Sequence, residues 1–364
     1  MNAQFDVATV PNFNVDMLRL AREIRMQTQA DVARNADIGQ ALISKLENGL
    51  ITSPSAEALT KIADALDFPT SFFVQTEKAQ GFPHFHFRKR AKLGAKPLAH
   101  VNAVVNLRRM HIAKLMRSYD TDVPKPIPQL EFDVTGMSPE KVAERVREYW
   151  MLPRGPIDNL TKVIEDAGGI VVLCNFGTNL LDGISFRSPG LPPIFCMNRE
   201  VPGDRFRFSL AHELGHMIMH AKPDDEAKQE AEAHRFAAAF LMPASDIRAH
   251  LSAPKISTLG RVKAFWKVSI KALIKRAHDL HLIADQQYKN LMVGYSKVFK
   301  EGESFPIEVE KAFRLRQIID FHVEKLGYSV SDLAALFCLR EVETQKAYLG
   351  PVKGNALRLV VSNC

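Results

Sequence analysis

The run Phe208-Ser209-Leu210-Ala211-His212-Glu213-Leu214-Gly215-His216 carries the strongest chemical signal in the chain. On a helix, positions i and i+4 share a face, so the imidazoles of His212 and His216 can hold one metal ion between them. Glu213 lies one residue on, where a carboxylate can take a proton from water beside that metal. Leu210, Ala211, Met217, Ile218 and Met219 make the rest of this helix apolar, so it is expected to be buried. A metal supplies the partner that interior imidazoles need. Zinc suits this donor set, but it takes a third protein ligand and keeps a fourth position open for water.

Where the third ligand comes from is a question of geometry. His220 continues the i, i+4, i+8 row but lies too far along the helix to reach a metal seated between the first two imidazoles. No glycine follows His216 before Gly260, so there is no tight turn to return a third histidine. A second helix, Gln229 to Leu241, has to supply the ligand. Its apolar face is Ala233, Phe236, Ala237, Phe240 and Leu241. Glu230 precedes Ala233 by one turn on that face and points inward, whereas Glu232 sits further round. Glu230 is the expected ligand, Glu232 the alternative, and His234 the expected partner behind the ligands.

Glu230-Ala231-Glu232-Ala233-His234-Arg235-Phe236-Ala237 and Leu241-Met242-Pro243, joined to His212-Glu213-Leu214-Gly215-His216, resemble the ImmA/IrrE metallopeptidase family. The resemblance runs from about residue 130 to 250 and extends to the subgroup in which an Xre domain precedes the peptidase. It implies a zincin-like fold, one Zn2+ ion and proteolysis of a helix-turn-helix repressor. Carried over residue by residue, it gives His212 and His216 as ligands, Glu213 as general base and Glu230 as third ligand.

Upstream, the elements are short helices. Met17, Leu18, Leu20, Ala21 and Ile24 form an apolar stripe. Thr28 can cap a second helix, which Asn35-Ala36-Asp37 breaks. A third covers Gln40 to Leu46 and stops at Asn48-Gly49. After Pro54, a fourth is marked by Ala58, Leu59, Ile62, Ala63 and Leu66, and a final short turn carries Phe68, Phe72 and Phe73 inward. Two short helices joined by a tight turn within a five-helix bundle make helix-turn-helix geometry.

Thr28-Gln29-Ala30-Asp31-Val32-Ala33 followed by Gln40-Ala41-Leu42-Ile43-Ser44-Lys45-Leu46-Glu47-Asn48-Gly49 resembles the lambda-repressor-like (Xre) DNA-binding family over residues 15 to 73. Ala36-Asp37 stands where the turn usually carries a glycine, and Gly39 where a Ser or Thr cap is common. The resemblance implies that Gln40, Ala41, Ser44 and Lys45 form the exposed reading face for double-stranded operator DNA. Gln29 starts the preceding helix, where its amide and the free backbone N–H groups can hold a phosphate. Glutamine pairs with adenine, and lysine with guanine or phosphate.

Charge is unevenly spread along the chain. Residues 1–77 hold 6 Lys or Arg against 10 Asp or Glu, whereas residues 78–118 hold 10 basic side chains and no acid. That acid-free stretch is a candidate polyanion contact, its bland alternative being a solvated linker and helix face. Within it His84 and His86 read as polar positions of an edge strand rather than a metal pair. Pro124, Pro126 and Pro128 mark a linker. Helices are expected at 139–151 and 157–167, then strands at Ile170–Cys174, Asp182–Phe186 and Ile194–Met197, the last offering an edge to a substrate segment. After Arg205 the pattern is helical. Trp266–Ile274 and Ser331–Ala334 faintly echo the N-terminal motif, although amphipathic helices closing over the peptidase domain fit as well.

At 46% hydrophobic and 24% charged residues, the composition is that of a globular chain, and 364 residues suffice for two or three domains. No apolar run approaches the roughly 18 residues of a membrane span, and the N-terminus lacks a secretory signal. Cys174, Cys196, Cys338 and Cys364 form no C-x-x-C pair, which suits a reducing cytoplasm. The expected fold is mainly α with a small β-sheet (α+β). It comprises a five-helix lambda-repressor-like helix-turn-helix domain (1–77), a basic connecting segment (78–128), a zincin-like metallopeptidase domain (129–250) and C-terminal helices (251–364). The expected function is that of a cytoplasmic, homodimeric, DNA-binding transcriptional regulator whose zinc peptidase cuts a DNA-associated protein. That substrate would be a helix-turn-helix repressor or another copy of this chain. The rival is a repressor or antitoxin-like regulator whose peptidase fold is catalytically silent and acts as a sensor or interaction domain.

Overall fold

The computed structural model describes residues 9–80, 93–120, 122–130, 136–222, 224–300 and 302–350. His84, His86 and the basic run Arg88-Lys89-Arg90 lie outside them. Contacts divide the chain into two units, Met1–Ala79 with Ala113–Ser118 and Arg316–Cys364, and Gln80–Ile112 with Tyr119–Leu315. The fold is mainly α with one small mixed sheet. No helix among the described residues is long and apolar enough to cross a membrane.

In the first unit, α1 (Val15–Ile24) is capped by the Asn14 side chain and buries Met17, Leu18, Leu20 and Ala21. Helix α2 (Gln29–Asn35) begins with a capping box. The Thr28 hydroxyl accepts the Asp31 N–H, and the Asp31 carboxylate accepts the Thr28 N–H. Asp37 takes φ 49°, the left-handed turn that a short polar side chain tolerates. Gly39 is extended and starts α3 (Gln40–Glu47) without a side-chain cap, and Gly49, at φ 68°, turns the chain away after it. Ser55 caps α4 (Ala56–Leu66). The fifth element is a 3-10 turn, Thr70–Val74, too short for an α-helix, and it brings Phe72 and Phe73 against Phe68. Buried Glu47 accepts both prongs of Arg22, at 2.5 and 3.0 Å, and pins α3 to α1.

Helix α5 (Ala95–Met116) begins beyond the basic run and belongs to the second unit as far as Ile112, and in that unit α6 (Pro139–Tyr149) and α7 (Leu160–Asp166) precede the sheet. Strands β1 (Ile170–Cys174), β2 (Gly183–Phe186) and β3 (Ile194–Asn198) lie in the order β1-β3-β2, with β1 parallel and β2 antiparallel to β3. The free edge expected at Ile194–Met197 is therefore absent. The segment is buried and paired on both sides, and β2 is an edge strand. Helices α8 (Gly203–Met219) and α9 (Glu226–Leu241) pack together, and α10 (Ile256–Trp266), α11 (Ile270–Asp279) and α12 (Asp285–Val298) follow.

The all-helical expectation after Arg205 fails at residues 302–313, which form an irregular strap without helix or strand. It runs so close to the start of α8 that a Cβ on Gly203 would collide with the Ile307 carbonyl oxygen. Acidic side chains tie it down. Glu303 accepts Lys263 at 2.9 Å and the Ile270 N–H at 2.8 Å. Glu310 pairs with buried Arg207 and accepts the Thr161 N–H at 2.7 Å.

Helices α13 (Arg314–Glu324), α14 (Val330–Phe337) and α15 (Glu341–Thr344) follow, then a π-turn at Gln345–Leu349, and the unit holding the N-terminal helices includes them from Arg316 on. The echo around Ser331–Ala334 repeats the cap and turn of the N-terminal motif, although its second helix is only four residues long before a π-turn at Gln345–Leu349. Ser329 and Asp332 make the same reciprocal cap as Thr28 and Asp31. Cys338 takes φ 53° where Asp37 takes 49°, and extended Arg340 starts the next helix as Gly39 does. Leu333, Ala334 and Phe337 are buried as are Val32, Ala33 and Ala36. The outward positions differ, with Glu341 and Val342 in place of Gln40 and Ala41. Glu343 binds both prongs of Arg25 at 3.0 and 3.3 Å, and Arg340 reaches Asp64 at 2.9 Å and Asp67 at 2.8 Å.

Candidate functional site

Helix α8 presents His212 and His216 on one face, and both are buried. Helix α9 approaches that face because residue 215 is a glycine. A Cβ there would sit 2.9 Å from the Phe236 ring and 3.3 Å from the Ala233 Cα, closer than ordinary contact allows. Ala233, Phe236, Ala237, Phe240 and Leu241 are buried, as their spacing implied. Glu230, one turn earlier, then projects toward the histidines.

Three ligand atoms converge. His212 Nε2 lies 3.0 Å from His216 Nε2, and Glu230 Oε1 lies 3.2 and 3.1 Å from the two. Around a tetrahedral metal with bonds near 2.0 Å, neighbouring ligand atoms stand about 3.3 Å apart. The three separations are close to that value, so these side chains could hold a small tetrahedral ion, and among the described residues no other histidine, cysteine or carboxylate group forms such a cluster.

Glu232 goes elsewhere. Its Oε2 lies 3.1 Å from His220 Nε2, and His220 Nδ1 lies 2.9 Å from His216 Nδ1. His234, expected behind the ligands, instead packs its ring 4.9 Å from that of Phe208. Burial, with the nearby His212 second, holds the His234 imidazole below its ordinary pKa. The side chain that contacts His216 is instead His220.

Buried Glu213 receives a hydrogen bond of 2.7 Å at Oε2 from the Ser185 hydroxyl of β2. Sequence reasoning missed Ser185, because only the packing of β2 on α8 brings it there. Beside the cluster opens a cleft of about 920 Å³, lined by His212, Glu230 and His234 with Phe208, Tyr288 and Tyr295. Burial, aided by neighbouring Glu303, pushes the Tyr295 phenol up to about 12, so it stays a neutral donor.

In the other unit, Gln40, Ala41 and Lys45 are exposed and Ser44 is half-buried, on consecutive turns of α3. Gln29 is half-buried, and its amide nitrogen donates to Glu47 at 2.8 Å. Its side chain, expected to hold a phosphate, is thereby committed to the domain. The basic stretch is not uniformly available, because Arg109 and Lys114 are buried and Lys114 bonds Gln75.

Residues 18–73 match the model of the helix-turn-helix family, and residues 165–278 match that of the IrrE N-terminal-like domain, a peptidase family. The chain thus joins an Xre-like DNA-binding domain to an IrrE/ImmA-like peptidase-family domain. No curated relative matches the chain.

Proposed function

We propose that this protein is a cytoplasmic transcriptional regulator whose peptidase-family domain is a zinc-dependent endopeptidase. One observation carries the reading: three ligand atoms from two helices stand at tetrahedral spacing, with a buried carboxylate on the residue next to the first ligand. His212, His216 and Glu230 would hold the ion. When bound, zinc supplies a Lewis acid that polarises a carbonyl and lowers the pKa of water. Glu213 takes the proton of the attacking water and returns it to the leaving amine. Ser185 fixes one oxygen of that carboxylate and leaves the other for water. Phe208 and Tyr288 give the adjoining cleft apolar surface for substrate side chains.

Gln40, Ala41, Ser44 and Lys45 would read an operator, with Gln29 at a phosphate. Two copies of the chain would read a near-palindrome, their reading helices about 34 Å apart. Holding head and peptidase on one chain raises the local concentration of peptidase at the operator. The substrate is accordingly a DNA-associated protein, a helix-turn-helix repressor or a second copy. The test is metal content and cleavage together. Purified protein should hold about one zinc per chain and cut a co-purifying DNA-bound protein, and Glu213→Gln should keep the metal and lose the cut. A chain that binds zinc and operator but cuts nothing would instead be a regulator with a silent peptidase fold.

A further inference from the structure

The proton positions behind the ligand cluster can be deduced from its contacts. His216 turns Nε2 toward His212 Nε2 and Glu230 Oε1, at 3.0 and 3.1 Å. If that nitrogen is to bind a metal its lone pair must be free, so the proton of the neutral ring belongs on Nδ1. His216 Nδ1 lies 2.9 Å from His220 Nδ1, which must then be the acceptor. With Nδ1 accepting, neutral His220 carries its proton on Nε2. That nitrogen lies 3.1 Å from Glu232 Oε2, an acceptor that cannot donate when ionised. With a metal on His216 Nε2, this arrangement satisfies these contacts, and the Glu232 carboxylate stands at its end.

The side chains are held in place for this. His220 is 3% exposed and Glu232 13% exposed. His220 ends α8 one turn after His216, and Glu232 stands on α9 two residues after Glu230. The same two helices that supply the ligands thus supply the chain behind one of them.

We propose that His220 and Glu232 are positioning residues that hold the His216 ring with Nε2 presented to the metal. The proposal rests on the metal-site reading above. Losing such a partner behind a ligand typically lowers metal affinity 10–100-fold. His220→Leu removes the acceptor while keeping an apolar volume, and His220→Asn retains an oxygen that can accept from Nδ1–H.

The experiment uses the full chain, with zinc affinity measured by competition against a chelating dye. Thermal melts check the fold. Expected are a 10–100-fold loss of zinc affinity in His220→Leu, a loss of no more than a few-fold in His220→Asn, and weaker zinc binding in Glu232→Ala. The proposal is overturned by a folded His220→Leu with wild-type affinity, or by equal losses in His220→Leu and His220→Asn. If the wild-type chain itself binds no zinc, the metal-site reading fails first. If it binds and His220→Leu binds equally well, only this inference falls.

Discussion

Replacing Gly215 with alanine probes the approach of the two ligand-bearing helices without touching a ligand. The added Cβ would sit 2.9 Å from Phe236 Cδ1 and 3.3 Å from the Ala233 Cα, where 3.4 Å is the lower end of ordinary contact. The ring can turn aside, but the backbone of α9 cannot, so the helices must part by a few tenths of an ångström. Metal sites tolerate departures of only about 0.2 Å in ligand distances. Glu230, one turn from Ala233, moves with its helix, and its oxygen leaves the two imidazoles. Overpacking costs about 1–3 kcal/mol, against which alanine gains about 1 kcal/mol of helix propensity. The metal-free protein should therefore lose little stability while zinc affinity falls at least tenfold. Chelator competition and a thermal melt of the apo form measure the two quantities. Wild-type zinc affinity in Gly215→Ala would refute the idea that this glycine sets the ligand spacing.

Lys45→Ala should weaken operator binding by about 1–3 kcal/mol, whereas Lys346→Ala, at the matching position of the C-terminal echo, should leave it unchanged, because exposed Glu341 repels phosphate. A fluorescence-anisotropy titration at fixed salt compares the two. Lys263 bridges Asp204 at 2.6 Å and Glu303 at 2.9 Å in the interior, so Lys263→Met should cost about 3–5 kcal/mol in a denaturant titration by stranding two carboxylates. Burial holds the Glu165 carboxyl above its ordinary value of 4.5, despite the N–H groups of Phe313 and Arg314 bonded to it. The folded protein thus binds that proton more tightly than the unfolded chain. Its contribution is full below the unfolded value and is lost as pH rises through the folded one. Glu165→Gln should therefore gain stability relative to wild type as pH goes from 4 to 7, read from melting temperatures at each pH.

What could be read in the sequence was local. Thr28 with Asp31, Asn48-Gly49 and the i, i+4 pair His212 and His216 each depend on neighbours within a turn or two, and each takes the geometry its spacing implied. Glu230 was reachable because its helix has one apolar face. Ser185 was not, since its bond to Glu213 depends on which strand lies at the sheet edge and how β2 packs on α8. The same ignorance of strand order made β3 look like an edge. The row position of His220 was visible, but its neighbours depend on which acidic residue of α9 faces it, and His234 was the expected partner instead. The strap at 302–313 has no periodicity to read, because acidic side chains rather than an apolar stripe anchor it. Lys114 looked like part of a polyanion contact, and only tertiary packing buries it.

The most direct test of the central claim is a comparison of protein cut sites in cells carrying the wild-type chain or Glu213→Gln. The account expects cuts in a DNA-associated protein that require zinc, occur with wild type and vanish in the variant, while both proteins hold equal zinc and bind the operator alike. Identical cut-site profiles from the two, with zinc bound in each, would contradict the assignment of this domain as a working peptidase.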